Sequence, residues 1–266
     1  MRLLDRRVLV VGASSGLGRA SALAIAAEGA NVMLAARRVE RLDEVRAEAG
    51  KRASRVACDV RDENSCRTAV AAAVEAFGGL DAVVYSPGTS PFTPIEDIDA
   101  ETWRSTLDTN LVGAASIARF AVPHLEASGG KAIFFSSIVI DDRPPRPYQA
   151  PYVVSKVALE TLVQAWQGEH RGVGFTTIAM GDTITEFGIG ADPEVIAGYA
   201  QTWAERGYMY GRTMEPESVA EQVVNALSSS ETVRRIALTP HYPDPSEGNP
   251  DVFDLAELDR KRREAK

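Results

Sequence analysis

Short apolar runs alternate with longer segments of mixed polarity along most of the chain. The runs fall at residues 8–11, 31–36, 54–60, 80–85, 131–140, 173–179 and 235–238. The first of them lacks the apolar and polar alternation of a half-exposed strand, which predicts a strand buried on both faces, as in a parallel sheet covered by helices.

The intervals between the runs carry helical patterns at residues 19–30, 39–50, 62–77, 98–127, 151–170 and 217–229. Asp99 is expected to cap the longest of these helices, which has Asn110 in its middle. Asn is a poor residue inside a helix because its amide competes for backbone hydrogen bonds, and exposure to solvent is the ordinary reason for finding one there. The alternation predicts a doubly wound α/β domain with a mainly parallel sheet of about seven strands.

The 266 residues fit one domain, and 45% of them are apolar, which is enough for one sizeable core. We assign residues 1–240 to this domain and residues 241–266 to a polar tail, in which pairs such as Glu257 and Lys261 favour a short helix. Residues 186–214 place aromatic side chains between polar ones, as mobile loops over active sites often do. The alternative is that these aromatic residues seal the domain or an oligomer contact.

Charge and composition exclude several classes of partner. The net charge is -8 and the pI is near 5.1, with no dense Lys/Arg block before the tail, which argues against nucleic acid and anionic membranes. No apolar run is long enough for a membrane span, and the first strand begins too early for a signal peptide. The two cysteines form no C-x-x-C arrangement, which favours a cytoplasmic location, and the three histidines are too scattered for a metal site.

A glycine-rich turn follows the first strand and precedes a helix. Its glycines are Gly12, Gly16 and Gly18, in the sequence GASSGLG. A turn without Cβ atoms lets backbone N–H groups approach a pyrophosphate at the positive end of the next helix. The turn therefore predicts a dinucleotide site, and the alternative is an ordinary strand-to-helix turn whose glycines serve packing alone.

The corner after the second strand reads Ala36-Arg37-Arg38 and holds no carboxylate. In dinucleotide-binding folds an acid at this corner accepts from the adenosine 2′-hydroxyl, whereas arginine suits a 2′-phosphate. NADP(H) is therefore favoured over NAD(H), which remains the second choice of cofactor. The alternative is a solvated pair of arginines at a helix start.

Candidate acid–base groups lie farther along the chain. Ser136 and Ser137 are hydroxyls in an otherwise apolar strand, and both need partners. After a proline-rich loop, a helix places Tyr152 and Lys156 one turn apart on the same face. A charged lysine beside a tyrosine stabilises phenolate, which suits acid–base catalysis near neutral pH.

Together these motifs resemble the short-chain dehydrogenase/reductase family, in its classical branch. The matching features are, in family order, Gly12-x-x-x-Gly16-x-Gly18, Asp59-Val60, Gly88, Asn110, Ser137, Tyr152-x-x-x-Lys156 and the segment from Gly181 to Thr185. The resemblance spans about residues 5–240. It implies a Rossmann fold and an oxidoreductase that transfers a hydride between nicotinamide and an alcohol/ketone pair.

The resemblance also implies a role for each motif residue. Tyr152 would be the acid–base group, and Ser137 rather than Ser136 would hold the substrate oxygen. Lys156 would stabilise the phenolate and bind the nicotinamide ribose, and Asn110 would anchor a water that joins Lys156 to a proton relay. The implied cofactor site comprises Gly12, Ser14, Ser15, Gly16, Leu17, Gly18, Arg37, Arg38, Asp59, Val60, Ser86, Gly88, Tyr152, Lys156, Thr183 and Thr185, and no metal is expected.

Two departures from the family pattern bear on the geometry of the site. Tyr85-Ser86-Pro87-Gly88 replaces the usual Asn-Asn-Ala-Gly, and Met180 replaces a proline. A non-catalytic regulator that senses NADP(H) is therefore kept as the alternative function, whereas a lyase or epimerase of the extended branch is disfavoured. For the enzyme we predict a small apolar or aromatic substrate, and a homodimer or homotetramer built on helices 98–127 and 151–170.

Overall fold

Seven parallel strands form one sheet in the computed structural model, which describes residues 1–185, 187, 193–209 and 212–241. The strands are β1 (Arg7–Val11), β2 (Asn31–Ala36), β3 (Ala53–Ala57), β4 (Ala82–Tyr85), β5 (Lys131–Ser137), β6 (Gly174–Met180) and β7 (Arg235–Leu238). Their order is β3-β2-β1-β4-β5-β6-β7, so β1 lies between β2 and β4. Open sheets of this kind bind ligands where the order reverses, beyond the carboxyl ends of the strands.

Helices in the described ranges cover both faces of the sheet. They are α1 (Gly16–Ala27), α2 (Val39–Ala49), α3 (Glu63–Phe77), α4 (Ala100–Leu107), α5 (Gly113–Ser128), α6 (Ala150–Glu169), α7 (Pro193–Glu205) and α8 (Pro216–Ser228). One core cluster packs α3, α5 and α6 against the sheet, and a second packs α1, α2 and α8 against the opposite face. The predicted doubly wound α/β fold is confirmed.

Two strands end earlier than their apolar runs predicted. β3 ends at Ala57 and β5 ends at Ser137, whereas the runs extended to residues 60 and 140. After β5 the Ser137 hydroxyl accepts a bond from Val139 N (3.4 Å), and residues 138–141 form a 3₁₀ turn. The apolar side chains of this turn are still buried, so the pattern alone could not separate turn from strand.

The predicted helix over residues 98–127 is wrong as a single element. It consists of α4 and α5, joined by a π-helical turn at Asp108–Val112. Asp99 caps α4 as predicted, because its carboxylate accepts from Thr102 N at 2.8 Å. Asn110 lies in the π-helical turn with no exposed surface, so the expectation that solvent exposure explains this residue is also wrong.

The aromatic-rich segment 186–214 is described in part, and it contains α7, which periodicity did not predict. Thr183 forms an isolated parallel bridge with Met214, which brings the two ends of the segment together. The predicted tail, with Glu257 and Lys261, lies outside the described residues apart from His241. Among the helices that are described, none has the length and apolar character needed to cross a membrane.

Candidate active site

The predicted site residues gather at the carboxyl ends of the strands, on both sides of the point where the strand order reverses. The glycine-rich turn follows β1, the arginine pair follows β2, and Asp59 follows β3. Ser86 and Gly88 follow β4, Ser137 ends β5, and residues 183–185 follow β6. Because parallel strands bring these ends to one edge, residues far apart in sequence share one cleft.

The glycine-rich turn has no room for side chains at its corners. Gly12 has a φ of +82°, which favours glycine, and a Cβ on it would lie 3.0 Å from Pro87 N. A Cβ on Gly18 would lie 2.2 Å from the Gly12 carbonyl oxygen. The first turn of α1, which follows, carries no acidic residue. The turn thus fits the pyrophosphate of a dinucleotide, because backbone can approach it closely at a positive helix end.

The second arginine of the pair after β2 reaches toward this turn. The Arg38 guanidinium donates to the hydroxyls of Ser15 (2.7 Å) and Ser14 (3.2 Å). Arg37 is exposed, and its charge helps to lower the pKa of Asp59. The Arg38 guanidinium therefore lies beside the glycine-rich turn, and the Arg37 charge acts on Asp59. In Rossmann folds the adenosine end of a dinucleotide lies in this region.

Asp59 is held by its neighbour. Arg61 donates to both carboxylate oxygens of Asp59, from Nη2 at 2.7 Å and from Nε at 3.1 Å. This ion pair is the main reason why the pKa of Asp59 falls to about 2. The next residue, Val60, is buried, and it stands so close to α5 that a Cβ on Gly113 would lie 2.9 Å from its Cβ. Asp59 is therefore ionised at neutral pH and fixed in position.

Tyr152 and Lys156 lie one turn apart on α6, and both are buried. The Lys156 ammonium lies 5.6 Å from the centre of the Tyr152 ring and donates to the Phe135 carbonyl at 2.8 Å. Burial lowers the pKa of Lys156 to about 8. Burial also raises the pKa of Tyr152 to about 12, and the nearby Ser137 hydroxyl acts against that rise. The predicted pair is therefore brought together with Ser137.

The two serines at the end of β5 have different surroundings. Ser137 Oγ donates to Met180 O at 3.4 Å, and its hydroxyl acts to lower the pKa of the neighbouring Tyr152. Ser136 has no exposed surface, and its hydroxyl has no hydrogen-bond partner in the described part of the chain. Successive strand residues point to opposite faces of the sheet, which explains why only Ser137 meets Tyr152.

Asn110 connects the π-helical turn to the loop after β4 and to α6. Its amide donates to Thr89 O (2.8 Å) and Ser155 Oγ (2.9 Å), and its carbonyl oxygen accepts from Thr89 N (2.8 Å). Ser155 in turn donates to Tyr152 O at 2.7 Å. Sequence reasoning missed Thr89 and Ser155, although Ser155 precedes Lys156 directly.

Gly88 lies where these groups meet. A Cβ placed on it would lie 3.7 Å from Lys156 Nζ, 3.9 Å from Asn110 Oδ1 and 3.9 Å from Phe187 Cε2. Ser86, two residues earlier, extends the sheet edge by donating its N–H to Val11 O at 3.0 Å. The Ser86-Pro87 departure therefore leaves the loop after β4 in register with β1.

The loop after β6 faces the glycine-rich turn and the tyrosine. Thr183 Oγ1 donates to Gly181 O (2.9 Å), and Thr185 Oγ1 accepts from Phe187 N (3.2 Å). A Cβ on Gly16 would lie 3.3 Å from Thr185 Cβ. The Phe187 ring lies 5.2 Å from the Tyr152 ring, so this loop supplies an aromatic wall next to the acid–base candidate.

Sequence reasoning also missed a buried charge beside this wall. Arg146, in the proline-rich loop, is 3% exposed, and its Nη1 donates to Asp182 Oδ1 at 2.8 Å. The Arg146 charge lowers the pKa of Tyr152, and the Asp182 charge raises it. Within the described residues there is no cluster of His, Cys, Asp and Glu that could hold a metal ion.

Comparison with known proteins gives one consistent family. The family described as short chain dehydrogenase matches residues 6–193. An A-factor type gamma-butyrolactone 1′-reductase of Streptomyces virginiae is 35% identical over 82% of this chain and 87% of its own length. A glycine betaine reductase of Emericella nidulans is 32% identical over 87% of this chain, which spans 18% of that protein.

Solved structures agree with the relatives. An alcohol dehydrogenase from the archaeon Thermococcus sibiricus, complexed with 5-hydroxy-NADP, superimposes with a TM-score of 0.76. It is 27% identical, and the match covers 90% of this chain and 99% of that one. A short-chain dehydrogenase/reductase of unknown function from Caenorhabditis elegans, solved with cofactor, is 25% identical over 90% of this chain and 95% of its own, with a TM-score of 0.79.

Proposed function

The chain belongs to the short-chain dehydrogenase family and is an oxidoreductase with a nicotinamide-binding Rossmann fold, and from this premise we propose that it interconverts an alcohol and a ketone with NADP(H). The observation that carries the proposal is the meeting of Tyr152, Lys156 and Ser137 beside the switch point of the sheet. The alternative, a regulator without catalysis, would not need this set of residues. The named relatives are oxidoreductases as well.

The chain's own residues handle the substrate oxygen in this mechanism, and bound nicotinamide supplies or accepts the hydride. The Ser137 hydroxyl donates to the oxygen and holds it near Tyr152. Tyr152 gives that oxygen a proton during reduction and takes one back during oxidation. With a pKa of about 8, Lys156 is mostly charged at neutral pH. A positive charge one helical turn from Tyr152 would favour phenolate in the reaction. Asn110 fixes the loop after β4 and α6 relative to each other.

The choice of NADP(H) rests on the arginine pair. Arg37 would meet the 2′-phosphate, and Arg38 would support it while bridging to Ser14 and Ser15. No acid stands at the end of β2 to accept from a free 2′-hydroxyl. The bound 5-hydroxy-NADP of the Thermococcus sibiricus enzyme supports this choice, and NAD(H) is the second candidate.

The aromatic residues near Tyr152 favour an apolar or aromatic substrate. Phe187 lies against Tyr152, Phe92 lies 6.2 Å from Phe187, and Trp203 lies 6.1 Å from Phe92, measured between ring centres. Such rings bury large apolar area and order few rotatable bonds on binding. We further propose that the enzyme works in the cytoplasm. We also propose that it is a homodimer or homotetramer, because two exposed valines, Val154 and Val157, lie on α6.

The proposal is tested by following NADPH oxidation with a panel of aldehydes and ketones. Tyr152→Phe should lower turnover at least about 100-fold, the size of a lost proton transfer, and leave the NADPH Kd within about twofold. Ser137→Ala should lower turnover, whereas Ser136→Ala, one residue earlier and without a partner, should not. Near-normal turnover by Tyr152→Phe would remove Tyr152 as the acid–base group.

A further inference from the structure

The proline-rich loop before Tyr152 carries a charge that is almost fully buried. Arg146 is 3% exposed, and its guanidinium reaches three segments of the chain. Nη1 donates to Asp182 after β6 (2.8 Å), Nη2 donates to the Tyr208 carbonyl after α7 (2.6 Å), and Nε lies 3.5 Å from Asp142 in its own loop. Buried charges are retained where they are paired and hydrogen-bonded, so each contact restricts where these segments can lie.

The segment that contains α7, residues 193–209, is here called the lid segment. It contacts the proline-rich loop at three further points. The Trp203 indole donates to Pro147 O (3.0 Å), the Tyr208 hydroxyl donates to Pro144 O (3.0 Å), and the Tyr199 ring stacks on Tyr148 with 3.9 Å between ring centres. Arg146 Cζ also lies 5.3 Å from the centre of the Trp203 ring, within cation–π range. Arg146 is thus at the centre of the contact between loop and lid segment.

This contact continues to the acid–base group through a row of rings. Trp203 of the lid segment is next to Phe92, Phe92 is next to Phe187, and Phe187 lies against Tyr152. A displaced lid segment would therefore take away Trp203, one wall of the proposed substrate pocket. Tyr152, Lys156 and Ser137 would keep their positions, because they belong to α6 and β5.

We propose that Arg146 is a positioning residue that clasps the lid segment over the substrate pocket, so that substrate capture depends on it more than the chemical step does. The inference rests on the function proposed above. Arginine suits this role because its planar group can donate in several directions at once, whereas lysine is a point charge. When the lid segment leaves, Arg146 loses the Tyr208 carbonyl and the Trp203 ring and keeps Asp182, so closure is reversible without a stranded charge.

A clasp of this kind has a definite kinetic signature. The apparent dissociation constant of the substrate equals the intrinsic one divided by the fraction of molecules that is closed, so an open lid segment raises KM. An ion pair that only stiffens the proline-rich loop would leave hydrogen exchange of residues 193–209 unchanged. The two roles can therefore be distinguished without a known natural substrate.

The test compares Arg146→Gln and Arg146→Lys with Arg143→Gln as the matched control. Arg143 lies in the same loop, is exposed, and donates to the carbonyls of Ile140 and Asp142. Backbone hydrogen exchange of residues 193–209 is measured in the NADPH-loaded protein. KM and kcat are measured with 4-nitrobenzaldehyde as the probe carbonyl.

Arg146→Gln should speed exchange in the lid segment at least about tenfold and raise KM at least about tenfold, with kcat reduced less than about threefold. Arg146→Lys should give an exchange rate and a KM between those of the wild type and Arg146→Gln. It is the test variant if Arg146→Gln does not fold. Unchanged exchange in both variants, or equal effects from Arg143→Gln, would overturn the clasp. A wild-type protein that reduces no carbonyl would overturn the proposed function, whereas the exchange data would still decide the clasp.

Discussion

At the residue scale, the candidate active site depends on buried charges, and Lys156 is the clearest case. Burial lowers its pKa from 10.5 to about 8, which corresponds to a free-energy cost of about 3 kcal/mol. Keeping this charge buried lowers the stability of the folded protein. Functional groups often have this cost, and their replacement then stabilises the protein.

Lys156→Met should therefore abolish turnover and stabilise the cofactor-free protein by about 2 kcal/mol at pH 7. The estimate subtracts about 1 kcal/mol for the lost bond to Phe135 O. Between pH 8 and 10.5 the unfolded lysine holds a proton that the folded one has released, so wild-type stability rises with pH in that window. The advantage of the variant should shrink there.

Urea unfolding of both proteins at pH 7 and pH 9.5 measures this difference. The exposed Lys51→Met is the control and should show no comparable gain. The explanation by burial is contradicted if the stability gain of Lys156→Met grows with pH. It is also contradicted if Lys156→Met is less stable than the wild type at pH 7.

Arg37 is the residue on which cofactor preference turns. A charge-assisted contact is worth roughly 1.5–3 kcal/mol, so Arg37→Ala should weaken NADPH about ten- to a hundredfold and change NADH little. Ala36→Asp should shift the preference further, because its carboxylate repels the phosphate and offers the 2′-hydroxyl an acceptor. The two neighbouring changes need not add.

Fluorescence titration with both nucleotides decides this prediction. Arg46→Ala, on the last turn of α2, serves as a control that should alter neither affinity. If wild type prefers NADH, or if Arg37→Ala weakens both nucleotides equally, the arginine pair is a solvated helix start.

Single positions with strong chemical preferences were predictable from sequence, and residues defined by their surroundings were not. The glycines of the turn and the Tyr152–Lys156 spacing carry their meaning locally, since φ and helix periodicity depend on nearby residues. From the sequence Arg146 is expected to be an ordinary surface arginine of a proline-rich loop, because its partners Asp182 and Tyr208 are far away in sequence. Burial of such a charge depends on tertiary contacts that no local pattern encodes.

At the element scale, the π-helical turn between α4 and α5 is the feature that periodicity could not predict. Asn110 lies in this turn instead of a regular α-helix, and its side chain makes three hydrogen bonds, two with Thr89 and one with Ser155. These bonds join the turn to the loop after β4 and to α6. The residue that is unfavourable inside a helix is therefore the one that connects three elements.

Asn110→Ala should destabilise the protein by about 2–3 kcal/mol, close to three lost hydrogen bonds. It should also lower turnover, because the loop after β4 and the start of α6 both border Tyr152. Asp108→Ala, an exposed change in the same turn, should cost less than about 0.5 kcal/mol. Thermal and urea unfolding of the two variants test this prediction. Equal losses of stability would show that any substitution in the turn destabilises the protein, and that the Asn110 amide has no special role.

At the scale of the whole molecule, exposed apolar residues on α6 predict self-association. Val154 and Val157 are 48% and 47% exposed. A double change of Val154 and Val157 to arginine should yield a monomer by light scattering at micromolar concentration, because two like charges would face their copies across a symmetric contact. Leu4→Arg, an equally exposed change near the N-terminus, should keep the wild-type mass. A monomeric wild type refutes the prediction.

The order of the strands has a consequence for how the protein is made. When Tyr85 has left the ribosome, β3, β2, β1 and β4 can already pair, but β4 still waits for β5 on its other side. Until then the edge of β4 presents unpaired backbone N–H and C=O groups, and all four of its residues, which are buried in the finished fold, lack part of their cover. Roughly 50 more residues must be translated before β5 is complete, about 3–10 s at typical rates of elongation. Nascent chains are therefore most exposed to misassembly in that interval, and slower elongation during it should lower the yield of soluble protein.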